Sequence, residues 1–176
     1  MALTIITVAI VGFVLFNNAR NNAEALETRQ DALDEYTGGL RTLLQTLTPP
    51  TSDMQKVLPT AKSGALDKLP ADSKSWVKQL QKASTRVVAI APPTEIQTAG
   101  QLFSESVQLY LTAARTFRSA ASLDEGDQQR ELIARASEVR DRASSVWTAG
   151  VSLLDDARAD AELDPSSLRV PTSPTG

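Results

Sequence analysis

The chain has 176 residues, 41% of them hydrophobic and only 5% aromatic, with Lys+Arg 18 set against Asp+Glu 21 for a formal net charge of -3. It contains no cysteine and no histidine, which excludes disulfides, thiolate nucleophiles and zinc-thiolate sites and removes the usual general base at neutral pH and the commonest metal ligand. The slightly acidic balance argues against a nucleic-acid partner, and the alanine-rich, aromatic-poor composition favours packed helices over a β-sandwich.

The chain opens on an apolar run, Ala2 to Phe16, with no charge, amide or proline. As a helix it covers about 22 Å at ~1.5 Å per residue, short of a hydrocarbon core of roughly 30 Å, but Asn17, Asn18 and Ala19 extend it before Arg20. A signal peptide is the competing reading; no basic residue precedes the run, and asparagines stand where small residues belong at a cleavage site. A buried core helix is the third, weakened because the run is apolar on every face. The expectation is a single-pass anchor over residues 1–19, with Leu3, Ile5, Ile6, Val8, Ile10, Val11, Phe13, Val14, Leu15 and Phe16 facing lipid. From the missing basic flank a native start upstream of Met1 is an expectation, as is a C-terminal domain outside the cytoplasm.

Residues 20–164 read as one helical domain. Leu26, Leu33, Tyr36, Leu40, Leu43 and Leu47 recur at steps of three, four and seven. With no breaker between, one helix is expected from about residue 2 to residue 48, ended by Pro49 and Pro50, with Gly38 and Gly39 as a kink or a close contact. A crossover loop follows over about 49–71. Asp72 is the expected N-cap of a second helix, about 73–90, with the stripe Trp76, Leu80, Ala83, Val87 and Ile90. A third helix, about 93–122, carries the seam Ile96, Ala99, Phe103, Val107, Tyr110, Ala114, Phe117 and Ala121. After the polar turn Asp124 to Asp127, a fourth helix, about 127–163, offers the seam Leu132, Ala136, Val139, Ala143, Val146, Gly150, Leu153 and Ala157, small enough to accept the rings opposite. Residues 165–176 are polar and proline-rich and read as a disordered tail. The fold class is all-α, an N-terminal transmembrane or stalk helix continuous with an antiparallel four-helix bundle.

Four groups are candidates for function. Lys74, Lys78, Lys82 and Arg86 form a possible patch for an anionic partner, against the reading of an ordinary solvated face. Asp156 and Asp160 share a face on which a divalent cation is geometrically possible, although a solvated helix end is the default. No Glu-x-x-His pair, nucleophile elbow or phosphate loop occurs, so no catalytic residue, cofactor or metal is assigned. Trp76, Phe103, Tyr110, Phe117 and Trp147 line either a ligand pocket or, more ordinarily, the core. The composition has the style of envelope proteins of high-GC bacteria without identifying a family. The reading is a membrane-anchored, non-enzymatic bundle acting as a scaffold or accessory subunit. Its partners are the bilayer and a membrane-associated protein, a homo-oligomer is compatible with the seams, and no nucleic acid is expected. A sensory or ligand-binding bundle is the alternative.

Overall fold

The computed structural model describes residues 23–58 and 66–171 in full, and for residues 2–22 only the helical course of the backbone. The anchor side chains Leu3 to Phe16 and the last tail residues, 172–176, therefore lie outside the described residues. Among the described residues there are four helices, α1 (Ala2–Gln55), α2 (Leu69–Ala89), α3 (Gln97–Ala120) and α4 (Asp127–Asp160), with one 3-10 turn at Thr94–Ile96 before α3. Among the described residues there is no strand, and no helix is long and apolar enough to cross a membrane.

The helices alternate in direction around one core. Phe103 packs on Trp147 with ring centroids 4.8 Å apart, Ser106 Oγ donates to Ala143 O at 2.8 Å, and Gln129 reaches back to Ala120 O, so α3 and α4 are antiparallel. Trp76 meets Phe117 edge-on at 5.8 Å and Gln108 donates to Ser84, which makes α2 and α3 antiparallel. Arg29 and Gln30 bond the backbone oxygens of Asp160 and Ala161, while Arg140 bonds Met54 O, so α1 runs against α4. Leu33, Leu40, Leu43 and Leu47 of α1, Leu80 of α2, Val107 of α3 and Ile133 of α4 are all fully buried in this shared core. Burying a side chain of this size contributes about 1.5–3 kcal/mol.

Several boundaries differ from the sequence expectation. Pro49 and Pro50 do not end α1, which continues to Gln55. A proline inside a helix costs roughly 3 kcal/mol through its missing N–H and its steric clash. Here the last turns are held by tertiary contacts: Met54 is fully buried, Thr51 Oγ1 stands 2.8 Å from both Leu47 O and Pro171 O, and the buried guanidinium of Arg140 caps Met54 O at 2.9 Å. The loop is correspondingly shorter than 49–71, because α2 also starts early, at Leu69, with Pro70 in its first turn. Asp72 is not the N-cap; it sits inside the first turn, its N–H bonded to Lys68 O. Gly38 and Gly39 leave α1 unbroken. A β-carbon on Gly39 would stand 2.9 Å from Ile90 Cγ2, so this glycine permits close approach of α2, whereas Gly38 has open space.

The expected seam of α3 is buried from Ile96 to Phe117, with Ala120 replacing Ala121 at its end. On α4 the seam is rotated by about one position. Ile133, Ala136, Ala143, Trp147, Gly150 and Leu154 are buried, whereas Leu132, Val139 and Val146 are half-buried and Leu153 is 40% exposed. The rotation turns Arg140 and Arg158, which a purely apolar pattern assigns to solvent, into the interface with α1. Gly150 accepts Phe103 as expected: a β-carbon there would meet the ring at 3.1 Å.

The tail is the largest correction. Of the expected disordered tail, residues 165–171 pack on the bundle, with Ser166 and Leu168 buried. Helix α4 ends in a Schellman arrangement: Leu163 N–H bonds Arg158 O, Glu162 N–H bonds Ala159 O, and Glu162 takes the left-handed conformation at φ 59. This satisfies carbonyls that a helix end leaves open and turns the chain back along α1.

Candidate functional site

The exposed charge is distributed by helix. On α2, Trp76, Leu80, Ala83 and Val87 point inward, and Lys74, Lys78, Lys82 and Arg86 are all exposed. Four-residue steps rotate the row by about 40° each time and spread it over roughly 18 Å of the helix. None of the four makes an ion pair among the described residues. All four thus lie on the solvent side of α2, swept over about 120° of its surface.

The acidic end of α4 is divided. Asp155 Oδ1 accepts the Ser166 N–H at 2.7 Å and so holds the tail. Asp156 and Asp160 remain exposed, and among the described residues no group of acidic side chains is arranged to hold a metal ion.

The aromatic set is core. Trp76, Phe103, Tyr110, Phe117 and Trp147 are each no more than 3% exposed; Trp76 pairs with Phe117, Phe103 with Trp147 and with Tyr36 of α1 at 6.4 Å, and Tyr110 bonds Ser144 through its hydroxyl. Burial pushes the phenols of Tyr36 and Tyr110 up to about 12; at Tyr110 a hydrogen bond with Ser144 acts weakly in the opposite direction. The indole N–H of Trp147 is buried without an acceptor among the described residues.

Two arginines carry structure that the sequence pattern missed. Arg158, 5% exposed, donates from Nη1 to Asp34 Oδ1 at 2.7 Å and to Thr37 Oγ1 at 3.2 Å, and from Nε to Asp164 O at 2.7 Å. It joins α1, α4 and the tail through one rigid fork, a geometry lysine does not reproduce. Arg140, 8% exposed, pairs with Asp141 and caps α1. Arg41 adds a bond to Ser166 O. The only sequence signal was their register: Arg140, Ala143, Trp147, Gly150, Leu154 and Arg158 fall at steps of three and four, a seam visible once a long cation is admitted to it.

Beside the tail runs a groove of about 540 Å³, lined on α1 by Arg41, Leu44, Thr48 and Pro49 and on the tail by Leu168.

No protein-family model, curated protein or solved structure matches the chain.

Proposed function

We propose that this is a membrane-anchored, non-enzymatic interaction protein of the cell envelope, in which the apolar start of α1 lies in the bilayer and the bundle is presented on the outer side. The observation that carries the reading is the continuity of α1. A single helix, 54 residues long, joins the uncharged run Ala2 to Phe16 to the core leucines. At ~1.5 Å per residue it measures roughly 80 Å. Among the described residues the bundle meets it from Leu26, which packs against the core, and then at Arg29 and Gln30, where Glu95 and the carbonyls of Asp160 and Ala161 bond to it. The part of α1 before Leu26 measures about 36 Å at ~1.5 Å per residue, longer than a hydrocarbon core of roughly 30 Å. Stiff coupling of anchor to domain suits a scaffold that holds its surface at fixed height and orientation. The non-enzymatic part of the reading rests on the absence of histidine and cysteine from the sequence and on arginines whose bonds serve the fold.

Flotation of the full chain with phospholipid vesicles in high salt tests the anchor. The wild type is expected in the floating fraction, and Ile10→Asp with Val11→Asp is expected to leave it, since an aspartate at mid-span costs on the order of 3 kcal/mol. Wild-type protein that stays in the aqueous fraction refutes the reading.

A further inference from the structure

We propose that the outward face of α2, continued onto the adjoining edge of α3, binds a linear polymer of phosphate groups along the row Lys74, Lys78, Lys82 and Arg86. The register of the two helices extends the row. Ser84 is bonded to Gln108 at 2.6 Å and Trp76 packs on Phe117, so Arg115 stands level with Lys78 and Arg118 level with Lys74. Arg115 lies one heptad beyond Gln108 and therefore on the same edge of α3, and both arginines are exposed. Six cations thus share a surface whose acids, Asp72 and Glu105, stand at its two ends. Spacing the α2 charges by about 6 Å along a helix makes a track rather than a point site.

The chemistry around the row selects the class of partner. A folded protein interface is centred on buried apolar or aromatic anchors. Here the face between the cations holds Ser75, Gln79, Gln81, Thr85, Thr112 and Ser119, and the strongly exposed apolar residue of α2, Val88 at 73%, lies beyond the end of the row. Lysines and arginines interleaved with hydroxyl and amide donors are the set that binds phosphate oxygens. Nucleic acid is disfavoured because no exposed aromatic ring offers a base a stacking platform on this face. A lipid surface is disfavoured because the row runs along the bundle axis in its half remote from Arg29, where α1 leaves the bundle. The inference adds a partner to the anchored-bundle reading, but it is read out in detergent and so succeeds or fails independently of anchoring.

The test is fluorescence anisotropy of labelled long-chain inorganic polyphosphate titrated with the full chain in neutral detergent micelles. Engagement of about four phosphates predicts a roughly 50-fold loss of affinity between 50 and 200 mM salt, using the coefficient of about 0.7 per phosphate measured for single strands. Lys74→Glu with Lys78→Glu and Lys82→Glu is expected to weaken binding more than tenfold. The charge-matched control Arg130→Glu with Arg135→Glu and Arg142→Glu, all exposed on α4, is expected to weaken it several-fold less; melting curves establish that both variants fold. Polyglutamate and single-stranded DNA are expected to compete poorly. Absence of binding by the wild type, equal loss in the two triple variants, or preference for polyglutamate, DNA or anionic vesicles over polyphosphate each overturns the proposal.

Discussion

Replacing Arg158 by alanine is the sharpest perturbation of the architecture. The side chain is 5% exposed and its three bonds tie α4 to two other parts of the chain, Asp34 and Thr37 on α1 and Asp164 O in the tail. The contributions are unequal. Asp34 is 59% exposed on its side chain, so its carboxylate regains water when the partner is lost, and that arm contributes under about 1 kcal/mol. Thr37 retains its bond to Leu33 O at 2.7 Å. The part-buried bond from the charged guanidinium to Asp164 O contributes about 1.5–3 kcal/mol, and the buried methylenes of the arginine stem about 0.8 kcal/mol each. The total expected loss is about 3–5 kcal/mol, which for a chain of this size lowers the melting temperature by roughly 6–20 °C. Urea unfolding of the full chain in mild detergent measures the first quantity and thermal melting the second. Asp34→Asn is expected to cost under about 1 kcal/mol, and Arg158→Lys at least half the alanine effect because lysine lacks the fork. Trypsin cleavage after the exposed Arg169 provides a local readout. Loosening of the tail is expected to accelerate it about tenfold for each 1.4 kcal/mol of docking energy lost. A melting temperature within a degree of wild type, or an Asp34→Asn variant as damaged as Arg158→Ala, would refute the assignment of Arg158 as the joint between helices and tail.

Two glycines of similar sequence context should respond with opposite sign. Gly150→Ala places a methyl 3.1 Å from the Phe103 ring and is expected to destabilise by about 1–3 kcal/mol in urea unfolding, whereas Gly38→Ala, with nothing within 4 Å, is expected to stabilise by roughly 1 kcal/mol. The two tyrosines of the chain, Tyr36 and Tyr110, both have phenols raised from 10.0 to about 12. The folded state therefore keeps protons that the unfolded state releases, so their contribution to stability is intact below pH 10 and is lost as pH rises towards 12. Absorbance at phenolate wavelengths should stay flat through pH 10 and rise together with the loss of helical circular dichroism; independent ionisation near pH 10 with the helices intact contradicts their burial.

How much of this was legible in advance depended on the kind of contact. The inward faces of α2 and α3 follow from apolar spacing alone, because those stripes are continuous and each position from Ile96 to Phe117 on the seam is occupied by an apolar side chain. The exposed row Lys74, Lys78, Lys82 and Arg86 was equally readable, since lysines at four-residue steps opposite a buried stripe have only solvent to face. On α4 the weaker stripe misled: Leu132, Val139, Val146 and Leu153 offer a plausible apolar seam one position away from the one used.

The sequence alone determined an all-helical chain with its principal core residues, a long first helix, a tight turn between α3 and α4, and a basic outward face on α2, all consequences of local periodicity and of which residue types are present. Only the tertiary structure decided that Pro49 and Pro50 lie within α1, that Arg140 and Arg158 point inward, and that residues 161–171 fold back on the bundle. Each of these depends on a partner far away in the chain: Met54 O for Arg140, Asp34 for Arg158, and Thr51 and Arg41 for the tail. A local pattern prices proline, buried charge and a polar tail as costs, and the offsetting bonds exist only once the helices stand side by side.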